Sequence, residues 1–510
     1  MGLKKKIFAV RQRLANYWLI AKSRKTTIEV GELFFQHNGE SDFMRYDMIV
    51  RLLAVENYFG ENDFGFDLYR RMQGARINKN WVEPAVKRFR MLIQSYEKNG
   101  YDEKSSIILD QDLHLVDGSH RMAMAMYYGI QNITVSVRPK KYNIFYGIEW
   151  FHVNGFSDKE CEILTDKYHE LKARYATPFV CSLWSPVHQY YDEITEKLRM
   201  FGEVSEVRDY DLSDLDYSFY TRGIYHVDDI EKWKIEKKID YMRKSAPGVR
   251  KIRMVTLFLN QPNFRLKAKT QSTLSQQCEL IKRLIRDAYK EKVDHYYHDI
   301  VMHIGDNFRQ NRHIYRLLTM PPIDVSSILQ HISNRRYVLT KIDSPYMPSD
   351  FPSHYPLGKD IDIICADMDE YQAILGSILK DVEAYKDFYS IRFVKKYDQK
   401  GREYRTLVRL EQEDQFLVFL FDVATQHRTG KTTPDFIDEM IATRLEKGGY
   451  FIPSVAYEII IRLKEYHMYP QKVYHMEYVR QHIANLDKEL CYKYLDFNWG
   501  VNFADVDFSN

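Results

Sequence analysis

The sequence predicts a multidomain protein of mixed α/β and α+β class. Its 510 residues exceed what one hydrophobic core usually organises, and its 45% hydrophobic content is enough for several cores. Short apolar runs typical of strands recur between amphipathic helical patterns, as in sheets covered by helices. We therefore expect three domains, at residues 26–140, 145–325 and 333–490, preceded by a basic segment at residues 1–25.

Residues 1–25 are predicted to form a basic amphipathic helix. They contain eight Lys or Arg and no acid, so the net charge of +3 leaves −5 for the rest of the chain. Such a helix can lie on an anionic membrane surface, where each basic residue contributes about 1 kcal/mol of attraction. An ordinary helix packed on the first domain explains the same pattern, and nucleic-acid binding is a third alternative. The apolar residues at helical spacing are Leu3, Ile7, Val10, Leu14 and Trp18.

Cysteine use and hydropathy predict a cytoplasmic protein. The five cysteines are scattered without a CxxC pair, and their odd number argues against a disulfide framework. The sequence shows neither a run of about eighteen apolar residues nor the pattern of a signal peptide. If residues 1–25 bind lipid, the protein would be peripheral on the inner face of the membrane.

The first domain is organised around residues 107–137. Ile107–Leu109 and Leu113–Val116 are predicted to be two short strands, and Met122–Tyr128 is predicted to be a helix. Residues 117–121 therefore lie where a strand turns into a helix. A strand is also expected near the start of the domain, over residues 27–30.

The turn at 117–121 has a composition that suits an anion. The first N–H groups of a helix have no partner in the chain, and the helix dipole places partial positive charge there. Gly118 lets the backbone approach a ligand, while His120 and Arg121 add donors and charge. A simpler alternative is that Asp117 or Ser119 caps the helix and Arg121 is solvated.

Residues 82–137 resemble the ParB/sulfiredoxin fold, and most closely its branch of free-serine kinases. The resemblance rests on helical spacing over Val86–Ile93, on the turn and on the alternating strand Ile133–Val137. It implies that the five turn residues hold the phosphates of a nucleotide. These residues are Asp117, Gly118, Ser119, His120 and Arg121.

Departures from the related families narrow the chemistry. Sulfiredoxins carry a cysteine before the His-Arg pair, where this chain has Ser119, so thiol chemistry is excluded. ParB proteins that bind DNA follow this fold with a helix-turn-helix domain, and residues 140–200 show none. In the serine kinases a glutamate upstream of the first long helix is the general base. By that resemblance Glu83 is the nearest match, with Glu56 and Glu61 as competitors.

The middle domain, residues 145–325, is predicted to be an α/β layer of unknown role. A phosphate could sit on the helix that carries Lys282 and Arg286 four residues apart, and His303 and Asp306 flank the end of a buried strand. Ends of buried strands are where α/β proteins place their sites. A solvated helix face and a hydrogen-bonded turn are the alternative. Strands are expected over 148–153, 201–208, 251–259 and 299–304.

The C-terminal domain carries a candidate metal site. Asp360 and Asp362 stand two apart on a predicted strand, so both carboxylates point to the same face. Adjacent like charges are costly unless a cation lies between them, and Mg²⁺ is the usual cation where phosphates are handled. Asp422, at the end of the buried strand Phe416–Phe421, is the expected third carboxylate.

Residues 333–470 resemble the nucleotidyltransferase superfamily, in particular members encoded with capsule and teichoic acid genes. The resemblance implies that Asp360, Asp362 and Asp422 hold two metal ions, which orient an attacking hydroxyl and the α-phosphate of a nucleotide. The Gly-Ser pair that usually precedes the aspartates is replaced here by a proline-rich loop. We therefore expect the phosphates to be held by other residues, from among Arg335, Arg336, Lys359 and Arg405.

Together these patterns predict a bifunctional enzyme that transfers phosphoryl and nucleotidyl groups. It would use Mg²⁺ and ATP or CTP, and would act on a small hydroxyl-bearing metabolite or sugar phosphate for bacterial surface polysaccharide. A nucleotide-binding regulator without catalysis is the alternative. A ParB-like DNA-binding protein is disfavoured by the net charge of −5 beyond residue 25, and no nucleic-acid partner is expected.

Overall fold

The chain divides into two compact units. A computed structural model describes residues 24–36, 45–102, 107–139, 144–228, 230–267, 272–398, 400–425 and 433–495. One unit comprises Met1–Asp211 and Glu231–Tyr315, and the other comprises Leu212–Ile230 and Arg316–Asn510. Both units combine helices with sheets, which confirms the predicted mixed class. No helix of the described residues is long and apolar enough to cross a membrane.

The predicted basic helix falls mostly outside the described part of the chain. Residues 1–23 lie outside it, and residues 24 and 25 begin a strand. The predicted helix therefore extends two residues too far, because residues 24 and 25 belong to a strand.

The first unit opens with a four-stranded sheet. Its strands are β1 (Arg24–Glu29), β2 (Ile107–Leu109), β3 (Leu115–Asp117) and β4 (Asn132–Val137). They lie in the order β1-β4-β2-β3, with β2 parallel to β4 and the other neighbours antiparallel. The strand predicted over Ile107–Leu109 is confirmed with its boundaries, and those predicted near residues 27 and 113 are confirmed with shifted boundaries. The helices are α1 (Val30–Phe34), α2 (Tyr46–Phe59), α3 (Phe64–Arg76), α4 (Val82–Asn99) and α5 (Ser119–Tyr127).

A second sheet of the first unit is entirely antiparallel. Its order is β10-β5-β7-β6, and β8 and β9 form a separate hairpin. The strands are β5 (Phe179–Trp184), β6 (Gly202–Asp211), β7 (Lys251–Leu259), β8 (Phe264–Leu266), β9 (Thr273–Ser275) and β10 (Met302–Ile304). The helices of residues 145–325 are α6 (Ile148–Val153), α7 (Asp158–Tyr175), α8 (Tyr191–Arg199), α9 (Asp214–Ile224), α10 (Lys232–Ser245), α11 (Gln276–Tyr289) and α12 (Phe308–Thr319), followed by the start of α13 (Val325–His331).

One strand expected within residues 145–325 is wrong. The segment Ile148–Val153 is a helix rather than a strand, because Phe151 alone faces the core while Val153 is exposed, so the residues do not alternate between two faces. The segment Leu212–Ile230 belongs to the second unit. There the ring of Phe219 packs 5.1 Å from that of Phe416, on the strand that carries the third aspartate.

The second unit is built on a mixed five-stranded sheet. Its order is β11-β12-β15-β14-β13, and β12 and β15 are its parallel neighbours. The strands are β11 (Tyr337–Thr340), β12 (Asp360–Cys365), β13 (Ser390–Tyr397), β14 (Glu403–Gln412) and β15 (Phe416–Ala424), with the hairpin β16 (Leu445–Lys447) and β17 (Tyr450–Ile452). The remaining helices are α14 (Met368–Val382), α15 (Pro434–Ala442), α16 (Val455–Met468), α17 (Tyr474–Gln481) and α18 (Lys488–Tyr494).

A buried glutamate on α1 contacts β9 and α12, which lie far from it in the sequence. Glu32 on α1 accepts hydrogen bonds from Thr273 Oγ1 at 3.0 Å and from the Phe308 amide at 3.4 Å. Burial, together with the nearby carboxylate of Glu29, raises the pKa of Glu32 to about 8. Glu32 is therefore protonated at neutral pH, because an ionised carboxylate at this position would lack adequate solvation.

The stability of the first unit should therefore depend on pH. Glu32 ionises near pH 4.5 in the unfolded chain but only near pH 8 in the fold, so its contribution is lost as the pH rises through this interval. Glu32→Gln should make the free energy of unfolding depend less on pH and should raise it at pH 8. Urea unfolding at about pH 5, 6.5 and 8 measures this, with exposed Glu97→Gln as the control. An unchanged slope in Glu32→Gln would contradict the assignment.

Candidate functional site

Two neighbouring strands of the second unit bring three carboxylates together. Asp362 and Asp422 are direct partners in the parallel pair β12 and β15, and Asp360 precedes Asp362 by two residues on the same face. One carboxylate oxygen from each residue lies within 4.8 Å of the others. Asp422 is only 4% exposed, whereas Asp360 and Asp362 are half-buried. The structure thus brings together the three acids that the sequence predicts, and we call them the aspartate triad.

Two basic side chains contact the triad. Lys341 Nζ lies 2.6 Å from Asp362 Oδ2 and 3.7 Å from Glu465 Oε1. The Arg405 guanidinium binds Asp422 with two donors, Nε to Oδ1 at 2.6 Å and Nη2 to Oδ2. Burial alone would lower the pKa of Lys341, but the carboxylates of Asp362 and Glu465 outweigh it and raise that pKa well above its usual value. Lys341 is therefore fully charged.

Behind Lys341 a further ion pair is buried. Glu458 Oε1 accepts hydrogen bonds from Arg462 Nε at 2.6 Å and from the Lys341 amide at 3.0 Å. Arg462 Nη1 also donates to Ser344 Oγ at 3.0 Å. These contacts connect α16 to the loop between β11 and β12.

The contacts around the triad join five acids to three cations. Three carboxylates on one strand face repel one another unless cations lie close to them, and oxygen ligands are those that Mg²⁺ prefers. The donor set of the triad therefore fits a divalent cation on its chemistry. The acids are Asp360, Asp362, Asp422, Glu458 and Glu465, and the cations are Lys341, Arg405 and Arg462.

The four expected phosphate-holding residues do not share one location. Arg335 and Arg336 pair with Glu370 at 4.0 Å and Asp367 at 3.4 Å, around the start of α14. Lys359 directly precedes the triad in sequence, and its Nζ lies 4.8 Å from the ring centre of Tyr346. Arg405 contacts the triad itself.

In the first unit the 117–121 turn lies at the start of α5. Gly118 has φ +95°, and a Cβ there would lie 3.1 Å from the Ile107 Cα. No side chain caps α5; the Asp117 carboxylate instead accepts the Gly118 amide at 2.7 Å. The alternative that Asp117 or Ser119 caps this helix is therefore wrong, because the turn folds Asp117 back on its own backbone.

Three arginines surround the buried carboxylate of Asp47 beside this turn. Asp47 Oδ1 binds Arg45 Nε at 2.8 Å, and its Oδ2 lies 2.9 Å from Arg51 Nη1 and 3.8 Å from Arg76 Nη1. Arg45 Nη2 also donates to Ser119 Oγ at 3.3 Å. We call these four charged residues the arginine cluster.

His120 adds no charge to this cluster. Its Nε2 lies 2.7 Å from Tyr69 Oη, and its ring packs 4.3 Å from that of Phe89. Burial and the positive charges of Arg51 and Arg76 lower the pKa of His120 well below its usual value. It is neutral at pH 7. The arginine cluster was not predicted from the sequence. Its signal is the pair of opposite charges four residues apart in the apolar helix α2, which indicates a buried ion pair.

The predicted base Glu83 is not brought into contact with the turn. It lies in the first turn of α4 with a side chain 67% exposed, and it pairs with Arg70 Nε at 2.7 Å. Glu56 pairs with Lys167 at 2.8 Å. Glu61 lies on the surface beyond α2.

In the middle region the predicted charged residues are held in ion pairs. Asp306 is held by the ammonium groups of Lys282 and Lys267, and Arg286 pairs with Asp299 at 3.1 Å. These cations hold the pKa of Asp306 well below its usual range despite burial. The hydrogen-bonded turn fits these contacts better than a phosphate site does.

His303 does not lie where the parallel-sheet argument places it. It is buried on β10, and burial lowers its pKa well below the usual value. Because β10 pairs antiparallel with β5, the rule for the carboxyl ends of parallel strands does not apply here.

Two further features were not expected from the sequence. Asp110, Asp112 and His114 cluster in the turn between β2 and β3, where Asp110 accepts the amides of the other two at 2.9 and 2.8 Å and lies 3.1 Å from His114 Nδ1. These bonds account for Asp110 as a turn residue. A cavity of about 290 Å³ in the first unit has a mainly apolar lining that includes Phe35, Phe179 and Phe308, and it contains none of the predicted site residues.

No family model, curated protein or solved structure matches this chain. The ParB/sulfiredoxin-like and nucleotidyltransferase-like identities of the two end domains therefore stay predictions from the sequence.

The tight turn at Gly118 can be tested by mutation. Gly118→Ala should destabilise the first unit by about 2–3 kcal/mol, since a left-handed residue with a side chain costs roughly 1–2 kcal/mol and the new Cβ presses on Ile107. Gly129→Ala is the matched control, with φ +66° and open space around its Cβ. It should cost about 1 kcal/mol. Equal losses in denaturant unfolding would show that the close approach to Ile107 is unimportant.

Proposed function

We propose that this protein is a transferase of phosphorus-containing groups that depends on a divalent cation. The observation that carries the proposal is the aspartate triad, three carboxylates that two neighbouring strands hold within 4.8 Å of one another. The acceptor would be a small hydroxyl-bearing metabolite or sugar, and the donor would be ATP or CTP. We further propose that the product serves bacterial surface polysaccharide synthesis, which rests on the resemblance alone.

In the proposed nucleotidyl transfer, Asp360, Asp362 and Asp422 would hold Mg²⁺. The ion supplies charge stabilisation at the phosphate and at the attacking oxygen when bound. Lys341 holds Asp362 in place, which keeps the carboxylate face ordered. The acceptor oxygen forms a bond to the α-phosphorus, pyrophosphate leaves with the electrons of the broken bond, and the hydroxyl proton passes to solvent.

In the first unit, we propose that the arginine cluster and the start of α5 hold nucleotide phosphates for phosphoryl transfer. Three arginines beside the start of a helix favour an anion such as phosphate. Neutral His120 can donate or accept a hydrogen bond without adding charge. Glu83 is proposed as the base by resemblance only.

A nucleotide-binding regulator without catalysis is the second candidate. The observation in its favour is that Arg405 and Lys341 already bind Asp422 and Asp362. Salt bridges of this kind stabilise a binding fold without any reaction. The two candidates differ in whether the triad is needed for turnover or only for binding.

Turnover should depend on the triad. Purified protein with Mg²⁺, ATP or CTP and a panel of polyols, serine and sugar phosphates should release pyrophosphate or a phosphorylated product, detected by mass spectrometry. Asp360→Asn and Asp362→Asn should slow this by about 10³-fold or more, since metal-held charge contributes several kcal/mol. Asp369→Asn, an exposed acid of α14, is the control. Nucleotide binding without turnover across the panel would favour the regulator.

Inorganic phosphate should stabilise the first unit through the arginine cluster. With a Kd of about 1 mM, 10 mM phosphate contributes roughly 1.4 kcal/mol, or about 2–4 °C in Tm. Arg76→Gln should remove the shift, whereas Lys87→Gln, at an exposed site on α4, should keep it. Chloride at equal ionic strength is the reference. A shift that persists in Arg76→Gln would place the anion elsewhere.

A further inference from the structure

The ion pair between Arg405 and Asp422 competes with a cation for the same carboxylate. The guanidinium uses both oxygens of Asp422, the most buried acid of the triad. A divalent cation could share one of these oxygens, since each has two lone pairs, but its charge would repel the guanidinium at this short range. Metal binding would therefore weaken the hold of Arg405 on Asp422.

The strand register determines where Arg405 can go. Arg405 pairs with Ala424 across β14 and β15, while Asp422 pairs with Leu407, so the arginine reaches Asp422 as a diagonal neighbour on the same face. A displaced guanidinium stays tethered within a few ångströms of the triad. The space beside the triad is also where the phosphates of a metal-bound nucleotide would lie.

Lys341 and Arg405 differ in the acids that remain to pair with them when the triad binds a cation. Lys341 has a second acid, Glu465, at 3.7 Å. The ion pair of Arg405, among the described residues, is with Asp422 alone. A released Arg405 would be a half-buried cation that keeps only its attraction to Asp362, an acid that the metal would also engage. Its planar pair of donors matches a phosphate as well as a carboxylate.

We propose that Arg405 is an exchange residue, which holds Asp422 until a divalent cation binds and then holds the phosphates of the nucleotide. This inference rests on the proposed function of the triad. It makes metal and nucleotide binding cooperative, because each ligand supplies the charge that the other needs. Arg405 opposes the metal when nucleotide is absent and stabilises the ternary complex when nucleotide is present.

Removing the charge should therefore move two affinities in opposite directions. We expect Arg405→Gln to bind Mn²⁺ alone about tenfold more tightly than the unmodified protein, and to bind a non-hydrolysable ATP or CTP analogue with Mn²⁺ about tenfold more weakly. Mn²⁺ affinity is read by electron paramagnetic resonance, and analogue affinity by calorimetry, both on the full chain. Arg409→Gln, on the same strand but paired with Glu411, should change neither affinity.

The other outcomes separate the inference from the function on which it rests. If Arg405→Gln weakens both affinities, Arg405 merely supports Asp422 and the exchange is refuted. If it changes neither while Asp362→Asn abolishes Mn²⁺ binding, the exchange fails and the metal site stands. If no variant binds Mn²⁺, the proposed function fails. If Arg405→Gln does not fold, Arg405→Lys replaces it. Its single ammonium group should change the Mn²⁺ affinity and the analogue affinity in the same two directions, but by smaller factors.

Discussion

The parallel pairing of β12 with β15 is the constraint on which the candidate site of the second unit depends. Its register sets Asp362 directly opposite Asp422. Side chains alternate along a strand, so a shift of one residue in the register would move Asp422 to the opposite face of the sheet. An apolar neighbour would then face Asp362. The flanking residues are buried and hydrophobic, which penalises such a slip. Core packing thus fixes the position of charged groups.

Clustered charge is the common feature of the two candidate sites. Three carboxylates share one strand face in the second unit, and three arginines lie around Asp47 in the first. In proteins, partly buried charges are normally paired, and bound ions of opposite sign stabilise such clusters. In the predicted middle site Asp306 is likewise paired, with Lys282 and Lys267.

Sequence patterns predicted local structure well where the period of the hydrophobic residues was clear. The strand before Asp422 and the helix after Gly118 are both found. The patterns failed in short segments, where a few residues do not distinguish a strand from a helix. The apolar residues of Ile148–Val153 suit a strand, but the segment is a helix in which only the ring of Phe151 is buried. The packing of Leu212–Ile230 within the second unit could not be read from local patterns, since its packing partners are far away in the sequence.

The sequence alone determined which acids share a strand face, since the two-residue spacing of Asp360 and Asp362 is a property of any extended chain. It also placed Gly118 at a strand-to-helix turn. Tertiary structure alone decided that Arg405 would bind Asp422 and that Arg45, Arg51 and Arg76 would surround Asp47. Ion pairs depend on distances between segments that only folding brings together.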